Sequence, residues 1–431
     1  MSTFELLAIL ITLAAFFSYV NHRWVRLPAT IGLMVIALGL SVLLVLAGFL
    51  FPPLVEYGRA LLEQVDFNKT LMGGMLGFLL FAGALHVDLN DLREHTIVVL
   101  TLATFGTLLS TFIVGGLMFL GLEALGTGLA PVWCFLFGAL ISPTDPIAVL
   151  GIFKRLGVPR ALEMKICGES LFNDGVGVVV FLVIFSLAGL DPAHADLTSG
   201  GVVWLFLQET LGGALFGLGI GAVAYHMLKS VDQYQVEIFG SLALVCGGYA
   251  LAMRLHVSGP IAMVVAGLLI GNHGRTWAMS EQTRRRLDSF WELVDEFLNA
   301  VLFVLIGLEL LVVSFTGRAL AAGLLAIAVV LAARFVAVGL LMQGLRASGG
   351  ASTRSDRAPH TIKLLVWGGL RGGISVALAL SIPAMLHDHE VPQRQLILTM
   401  TYIVVVFSII VQGLTVGPLL KHWGLSGAGH S

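Results

Sequence analysis

The residues best suited to chemistry stand close together in one stretch of the chain, residues 168–175. Glu169 and Asn173 are four positions apart, and so are Ser170 and Asp174, so in a helix all four face one side. A hydroxyl, an amide carbonyl and a carboxylate that point the same way supply hard oxygen ligands, which a small alkali cation prefers. The spacing therefore predicts a cation site on one helix face.

A second polar set interrupts an apolar run at residues 142–146, which read Ser-Pro-Thr-Asp-Pro. Proline removes a helix donor and clashes with the preceding turn, so the helix is expected to break here. We expect Thr144 and Asp145 in this break to face the first polar set. The oxygen ligands predicted for the cation are then those of Asp174, Asp145, Ser170 and Thr144.

The composition indicates that these residues lie in a membrane protein. The 431 residues are 57% hydrophobic and only 12% charged, about half the charged fraction of a soluble domain. The formal net charge of −2 gives no basic surface that would suggest a nucleic acid partner. The three cysteines lie in apolar runs without paired or metal-type spacing, which is typical of small buried hydrophobic residues.

Apolar runs long enough to span a bilayer, about 20 residues each, recur along the chain with short polar breaks. They predict an all-α integral membrane fold of thirteen helices, with residues 1–431 forming a single transmembrane domain and no soluble domain. The runs are centred at Leu13, Leu40, Leu79, Leu108, Leu140, Val178, Phe216, Leu244, Val265, Leu305, Val329, Val376 and Val406.

Lysine and arginine are distributed unevenly between the two sides of the predicted bundle. Cytoplasmic loops retain basic residues, and with thirteen helices the odd-numbered loops and the C-terminus share one side. Of the 24 basic residues, seventeen lie on that side, five on the other, and two, Arg334 and Arg371, within helices. This predicts a multi-pass protein of the cell (inner) membrane with its N-terminus outside and its C-terminus in the cytoplasm.

The twelfth run is also interrupted, at residues 368–373, which read Gly-Gly-Leu-Arg-Gly-Gly. Clustered glycine weakens a helix, and the freed backbone groups need a cavity or neighbouring protein to satisfy them. The two breaks are seven helices apart, so their helices run in opposite directions. This predicts an inverted repeat in which helices 1–6 correspond to helices 8–13, and broken helices at matching positions point to a transport site.

Ionisable groups inside the bilayer cost roughly 2.5 to 3.5 kcal/mol on insertion scales, so each needs a partner or a function. Desolvation favours the neutral form of a carboxyl group, which can then hold either a proton or a cation but hardly both. For Asp174 this competition predicts exchange: the site crosses the membrane only when one of the two occupies it.

The other buried polar residues are expected to support this site. Glu169 is predicted to form an ion pair with Arg334 that fixes helix contacts. Arg371 is predicted either to neutralise the negative end of a half-helix or to balance Asp145. Asn173 is expected to hydrogen-bond across the breaks and not to bind the cation.

Taken together, these motifs resemble the monovalent cation/proton antiporter family, which includes NhaP-type bacterial and archaeal sodium/proton antiporters and the animal sodium/proton exchangers. The resemblance covers nearly the whole chain. The motifs that carry it stand in the family's order: Thr144-Asp145-Pro146, Gly168-Glu169-Ser170, Asn173-Asp174, Phe297-Leu298-Asn299, residues 305–309, Arg334 and residues 368–372.

The resemblance implies a fold and a mechanism. The family fold has thirteen helices with two crossed discontinuous helices, 5 and 12. Helices 4–6 and 11–13 form a mobile core bundle, the remaining helices form a dimerisation bundle, and the protein is a homodimer. The implied activity is exchange of Na+, or of Li+ or K+, for H+ with no cofactor, and alternating access arises from an elevator-like movement of the core.

The resemblance also implies residue roles. Asp174 is the essential carboxylate that binds either the cation or the proton, and Asp145, Ser170 and Thr144 help to coordinate Na+. A single exchanging carboxylate implies electroneutral exchange of one cation for one proton. The third helix departs from some relatives, because residues 81–85 carry no acidic residue there.

Three alternatives use the same polar residues differently. A potassium-preferring exchanger would share the fold, and a cation channel would conduct without proton countertransport. A membrane enzyme would need an activated nucleophile, but Ser170 has no histidine at helical spacing to activate it.

Overall fold

The computed structural model describes residues 3–48, 51, 53, 70–190, 199–275, 278–313, 316–349, 359–386 and 389–425. Four basic residues that entered the prediction of orientation lie outside this part of the chain: Arg59, Lys69, Arg354 and Arg357.

The described chain is almost entirely helical, and a helix covers each of the thirteen predicted centres, which confirms the predicted fold class. Among the described residues, seven helices are apolar and long enough to cross a membrane. The helices are α1 (Thr3–Val20), α2 (Ala29–Gly48), α3 (Leu71–Leu85), α4 (Leu89–Ala124), α5 (Pro131–Ile141 and Ile147–Leu156), α6 (Arg160–Leu187), α7 (Ser199–Leu207 and Gly213–Ser230, joined by a π-helical turn), α8 (Tyr234–Arg254), α9 (Gly259–Gly274), α10 (Glu281–Leu308), α11 (Gly317–Ala347), α12 (Pro359–Trp367 and Gly373–Leu380) and α13 (Pro392–His422).

Local sequence fixes where several helices begin and end. The side chains of Ser258, Ser280 and Thr316 accept hydrogen bonds from the first turns of α9, α10 and α11. The second half of α5 ends at Gly157, whose φ of 60° is a left-handed conformation that glycine adopts without a steric cost. Two short strands, Met385–Leu386 and His389–Glu390, pair antiparallel between α12 and α13.

The helices pack in two groups that differ in their partners. In one group, α4 packs against α5, α6 and α11, and α13 packs against α11 and α12. In the other group, α2 packs against α10, α3 against α9 and α10, and α7 against α8 and α9. The two groups also touch, for example where the second half of α12 meets α10.

Both predicted breaks are present, and they meet. The backbone N–H of Asp145 in the α5 break donates to the carbonyl of Leu370 in the α12 break at 2.8 Å, and the two residues form an antiparallel bridge. Backbone groups freed from two helices thus satisfy each other inside the protein. Gly372 permits this close approach, because a Cβ at that position would collide with the Asp145 carboxylate.

Candidate cation site

The α5 break and α6 form one hydrogen-bonded cluster at the point where the α5 and α12 breaks meet, which we call the crossing. The hydroxyls of Thr144 and Ser170 lie 3.0 Å apart, and the Asn173 amide donates to the Thr144 hydroxyl at 2.8 Å. The backbone N–H of Thr144 donates in turn to the Asn173 carbonyl oxygen at 3.3 Å. Asn173 therefore ties α6 to the α5 break, the contact that the helical spacing predicted.

The two aspartates predicted for the site line one cavity. This cavity has a volume of about 130 Å³, and its lining includes Thr144, Asp145 and Asp174. One carboxylate oxygen of Asp145 accepts from the N–H of Ile147, the first residue of the second half of α5, at 2.9 Å. The side chain of Asp174 makes no hydrogen bond and no ion pair with any described residue. Its carboxylate is free for a ligand.

The cavity opens toward one face of the membrane, the face that carries the short loop between α5 and α6 (the α5–α6 face). Lining residues toward this face, where α3 and α5 end and α6 and α10 begin, are partly exposed; examples are Gly83, Leu150 and Cys167. Lining residues toward the opposite face are buried; these include Leu71, Leu76 and Leu302. An ion therefore has access to Asp174 from the α5–α6 face.

Glu169 and Arg334 form a buried ion pair beside this cluster. Glu169 is 1% exposed and Arg334 is 4% exposed. The guanidinium donates to both carboxylate oxygens, one of them at 2.9 Å, and also donates to the carbonyl of Leu365 at 3.0 Å. Arg334 thus joins α6, α11 and the first half of α12, and its charge is neutralised by Glu169.

Among the described residues, the side chain of Arg371 contacts backbone carbonyls and no carboxylate. Its side chain donates to the carbonyls of Ser142 at 2.5 Å and Pro143 at 3.0 Å, which follow the first half of α5. The C-terminal end of a helix carries partial negative charge, so a cation there is stabilising. Among the described residues Arg371 forms no ion pair, so its contacts match the first of the two predicted roles, neutralisation of a half-helix end.

The sequence did not indicate that α13 supports the α12 break. The Ser408 hydroxyl accepts from the backbone N–H of Arg371 at 2.9 Å and donates to the Gln412 side chain at 2.6 Å. Gln412 donates to the carbonyl of Trp367 at 3.2 Å. Both residues lie on a π-helical turn, Ser408–Gln412, which faces the break, and only their polarity within an apolar run could have drawn attention to them.

Asp295, which lines the same cavity from α10, was not predicted from the sequence. It stands between the exposed residues Glu292 and Glu296, so the segment resembles the polar end of an amphipathic helix. The signal that could have identified it is Asn299, one helical turn further on the same face and buried. α3 contributes only apolar residues to the cavity, in keeping with its sequence.

The oxygen atoms at the cavity are of the kind that a small monovalent cation prefers. Asp174, Asp145 and Thr144 bring carboxylate and hydroxyl oxygens, which are hard ligands, to the lining of the cavity. Ser170, the fourth predicted ligand, is not part of the lining, and its hydroxyl lies 3.0 Å from that of Thr144. No lysine or arginine in the described part of the chain lines the cavity. Among the described residues, no three His, Cys, Asp or Glu side chains group closely enough to hold one metal ion. This geometry does not match that of a resident transition-metal centre.

Comparisons with known proteins agree on one family. The family profile described as "Sodium/hydrogen exchanger, transmembrane" matches residues 11–422. The Na(+)/H(+) antiporter NhaP of Pseudomonas aeruginosa is 50% identical over 418 residues, 97% of this chain and 96% of that protein. The Na(+)/H(+) antiporter NhaH of Halobacillus aidingensis is 36% identical over 394 residues, 90% of this chain and 92% of that protein.

A solved structure shares the fold. The sodium proton antiporter MjNhaP1 of Methanocaldococcus jannaschii at pH 8 superimposes with a TM-score of 0.74 at 21% sequence identity. The match covers 97% of this chain and 98% of that one. With the family profile and the identity to NhaP, the conclusion is that this chain is a multi-pass membrane protein of the sodium/hydrogen exchanger family.

Proposed function

We propose that the protein exchanges Na+ for H+ across the membrane, with cation and proton competing for Asp174. The observation that carries this proposal is the Asp174 carboxylate, which lines a cavity open to one face and has no partner in the described chain. A carboxylate without a partner at this depth is costly unless a proton or a cation neutralises it. Relatives at 50% and 36% identity are named Na(+)/H(+) antiporters, which supports the same activity.

In this proposal some neighbouring residues bind the cation and others hold the half-helices in place. Asp145, Thr144 and Ser170 supply further oxygens to the cation, and Asn173 holds Thr144 in place. The Glu169–Arg334 pair and Arg371 hold the two half-helices at the crossing without touching the cation. Each passage then carries either one Na+ or one H+ on a single carboxylate, so exchange is one for one and electroneutral. No cofactor takes part.

The movement that carries the site is a displacement of one helix group against the other. The group of α4–α6 and α11–α13 contains the site and acts as the mobile core, and the remaining helices form the dimerisation bundle of a homodimer. The two-group packing supports this division. The distribution of basic residues supports a cytoplasmic location of the α5–α6 face, with the protein in the inner membrane of a bacterial cell.

The test is proton movement driven by a sodium gradient in proteoliposomes. An outward-directed Na+ gradient is expected to acidify the lumen, at a rate that does not change when the membrane potential is clamped with valinomycin and K+. Proton movement driven by K+ alone would identify a potassium-preferring exchanger. Sodium flux without proton movement would identify a channel and would contradict the proposal.

A further inference from the structure

We propose that Asp295 and Asn299 on α10 form a second cation-binding site, the access site, which receives Na+ from the α5–α6 face before the ion reaches Asp174. The inference deepens the proposed exchange and rests on it. The observation that supports it is that three carboxylates line one cavity. Asp145 and Asp174 belong to the helix group that contains the crossing, and Asp295 belongs to the other helix group.

The charge balance of the cavity is the first observation. Asp145, Asp174 and Asp295 all line it, and no basic side chain of the described residues does. Asp145 and Asp295 repel each other electrostatically, and the basic residue that acts on Asp295 is Lys154, near the end of α5 and outside the lining. Negative charge in a cavity with low-dielectric walls concentrates cations there. Asp295 therefore raises the cation concentration next to Asp174.

The second observation is the buried amide of Asn299. Asn299 is 2% exposed, follows Asp295 by one helical turn and lies beside its carboxylate. Apart from this neighbour, neither polar atom of the amide finds a hydrogen-bond partner in the described chain. A buried polar group whose hydrogen-bonding capacity is not satisfied costs free energy. A cation bound to the amide oxygen and the Asp295 carboxylate would satisfy both groups.

The access site is separate from the site at the crossing. No three acidic side chains of the described residues group as ligands of one ion, so Asp295 does not complete the shell around Asp174 and Asp145. α10 also packs with α2 and α3, whereas Asp145 and Asp174 belong to the other helix group. When the core moves, Asp295 and Asn299 stay behind. Asp295 thus serves ions that arrive from the α5–α6 face and does not travel with them.

The test measures the KM for Na+ separately from each side of the membrane. Vesicles are oriented by protease access to a tag placed after Ser431, because α13 is odd-numbered and ends on the α5–α6 face. For Asp295→Asn, we expect the KM from that face to rise roughly fivefold, since one of three charges that concentrate the cation is lost. The maximal rate and the KM from the opposite face are expected to stay at wild-type values.

Two matched variants distinguish attraction of Na+ by the Asp295 carboxylate from a structural role of Asp295. Glu296→Gln removes the neighbouring exposed carboxylate of the same helix, which does not line the cavity, and is expected to leave the KM unchanged. Asp295→Glu keeps the charge and is expected to restore most of the wild-type KM. The effect of Asp295→Asn is expected to shrink at high ionic strength, because salt screens the attraction.

The outcomes separate this inference from the proposed exchange. If Asp295→Asn leaves the KM from the α5–α6 face unchanged, or raises the KM equally from both faces, the access site is wrong while exchange by the wild type still stands. The same conclusion follows if Asp295→Glu behaves like Asp295→Asn. If wild-type vesicles show no sodium-driven proton movement, the exchange itself is wrong.

Discussion

The breaks in α5 and α12 are built on a similar plan but carry opposite charges. In each, an arginine donates to carbonyls near the end of the first half-helix: Arg371 to those of Ser142 and Pro143, and Arg334 to that of Leu365. Only the α5 break also presents an acidic residue, Asp145, to the cavity. The α12 break presents glycine there, at Gly372 and Gly373.

This difference separates binding from support. The α5 break and α6 provide the oxygens that face the cavity, while the α12 break provides close approach and positive charge that is turned away from it. Arg334 is neutralised by Glu169, whereas Arg371 is balanced by half-helix carbonyls. Substitutions in the α12 break should therefore act mainly on stability, and substitutions that reach the cavity should act on cation affinity.

The largest effect is expected from Glu169→Gln, which leaves Arg334 buried without a carboxylate. Loss of one partner of a buried pair costs about 3 to 5 kcal/mol of the free energy of unfolding. Thermal unfolding of the purified protein measures it. The exposed pair of Glu281 and Arg285 is the control, since Arg285→Gln is expected to cost less than about 0.5 kcal/mol. Equal losses at the two pairs would contradict the burial argument.

Arg371→Met is expected to destabilise the protein by about 3 kcal/mol, because the carbonyls of Ser142 and Pro143 lose a charged donor. The same unfolding measurement checks it, and Arg371→Lys should recover part of the loss. A second substitution, Asp145→Asn, is expected to give no rescue. Rescue would mean that Arg371 balances Asp145, the alternative that the sequence left open.

Gly372→Ala is expected to cost about 2 kcal/mol, since the added Cβ meets the Asp145 carboxylate and forces the two breaks apart. Because Asp145 lines the cavity, the KM for Na+ should rise as well. Gly339→Ala in α11 is the control, because nothing lies within 4 Å of its added Cβ. A wild-type KM for Na+ in Gly372→Ala would show that the contact between the two breaks does not affect cation binding.

The smallest effect on stability is expected from Thr144→Val, about 1 kcal/mol, because the hydroxyls of Ser170 and Thr144 and the amide of Asn173 share two hydrogen bonds. Its KM for Na+ should nevertheless rise severalfold, since a cation ligand is lost. Thr144→Ser keeps the hydroxyl and should behave as wild type in flux measurements. An unchanged KM for Na+ in Thr144→Val would mean that Thr144 does not bind the cation.

The sequence was informative where a physical requirement is local. Run length and hydropathy located all thirteen helices, and proline and glycine located both breaks. Helical spacing placed Ser170 and Asn173 against Thr144, and the cost of buried charge paired Glu169 with Arg334.

The sequence was uninformative where partners are distant or a residue is hidden among similar ones. Ser408 meets the Arg371 backbone across 37 residues, and Gln412 meets Trp367 across 45, so neither contact leaves a periodic signal. Asp295 is flanked by Glu292 and Glu296, and only packing decides which of the three faces the cavity. The first part of α4, Leu89–Thr101, is polar at several positions, so the helix extends far beyond its apolar run.

The most direct test of competition at Asp174 compares sodium-driven proton movement by the wild type and by Asp174→Asn in proteoliposomes. The control is the melting temperature of Asp174→Asn. It is expected to lie near the wild-type value, because Asp174 has no partner in the described chain whose loss would destabilise the fold. We expect the wild type to exchange at a rate independent of the membrane potential and Asp174→Asn to be silent. Normal transport by Asp174→Asn would contradict the proposed mechanism, and a rate that follows the potential would contradict one-for-one exchange.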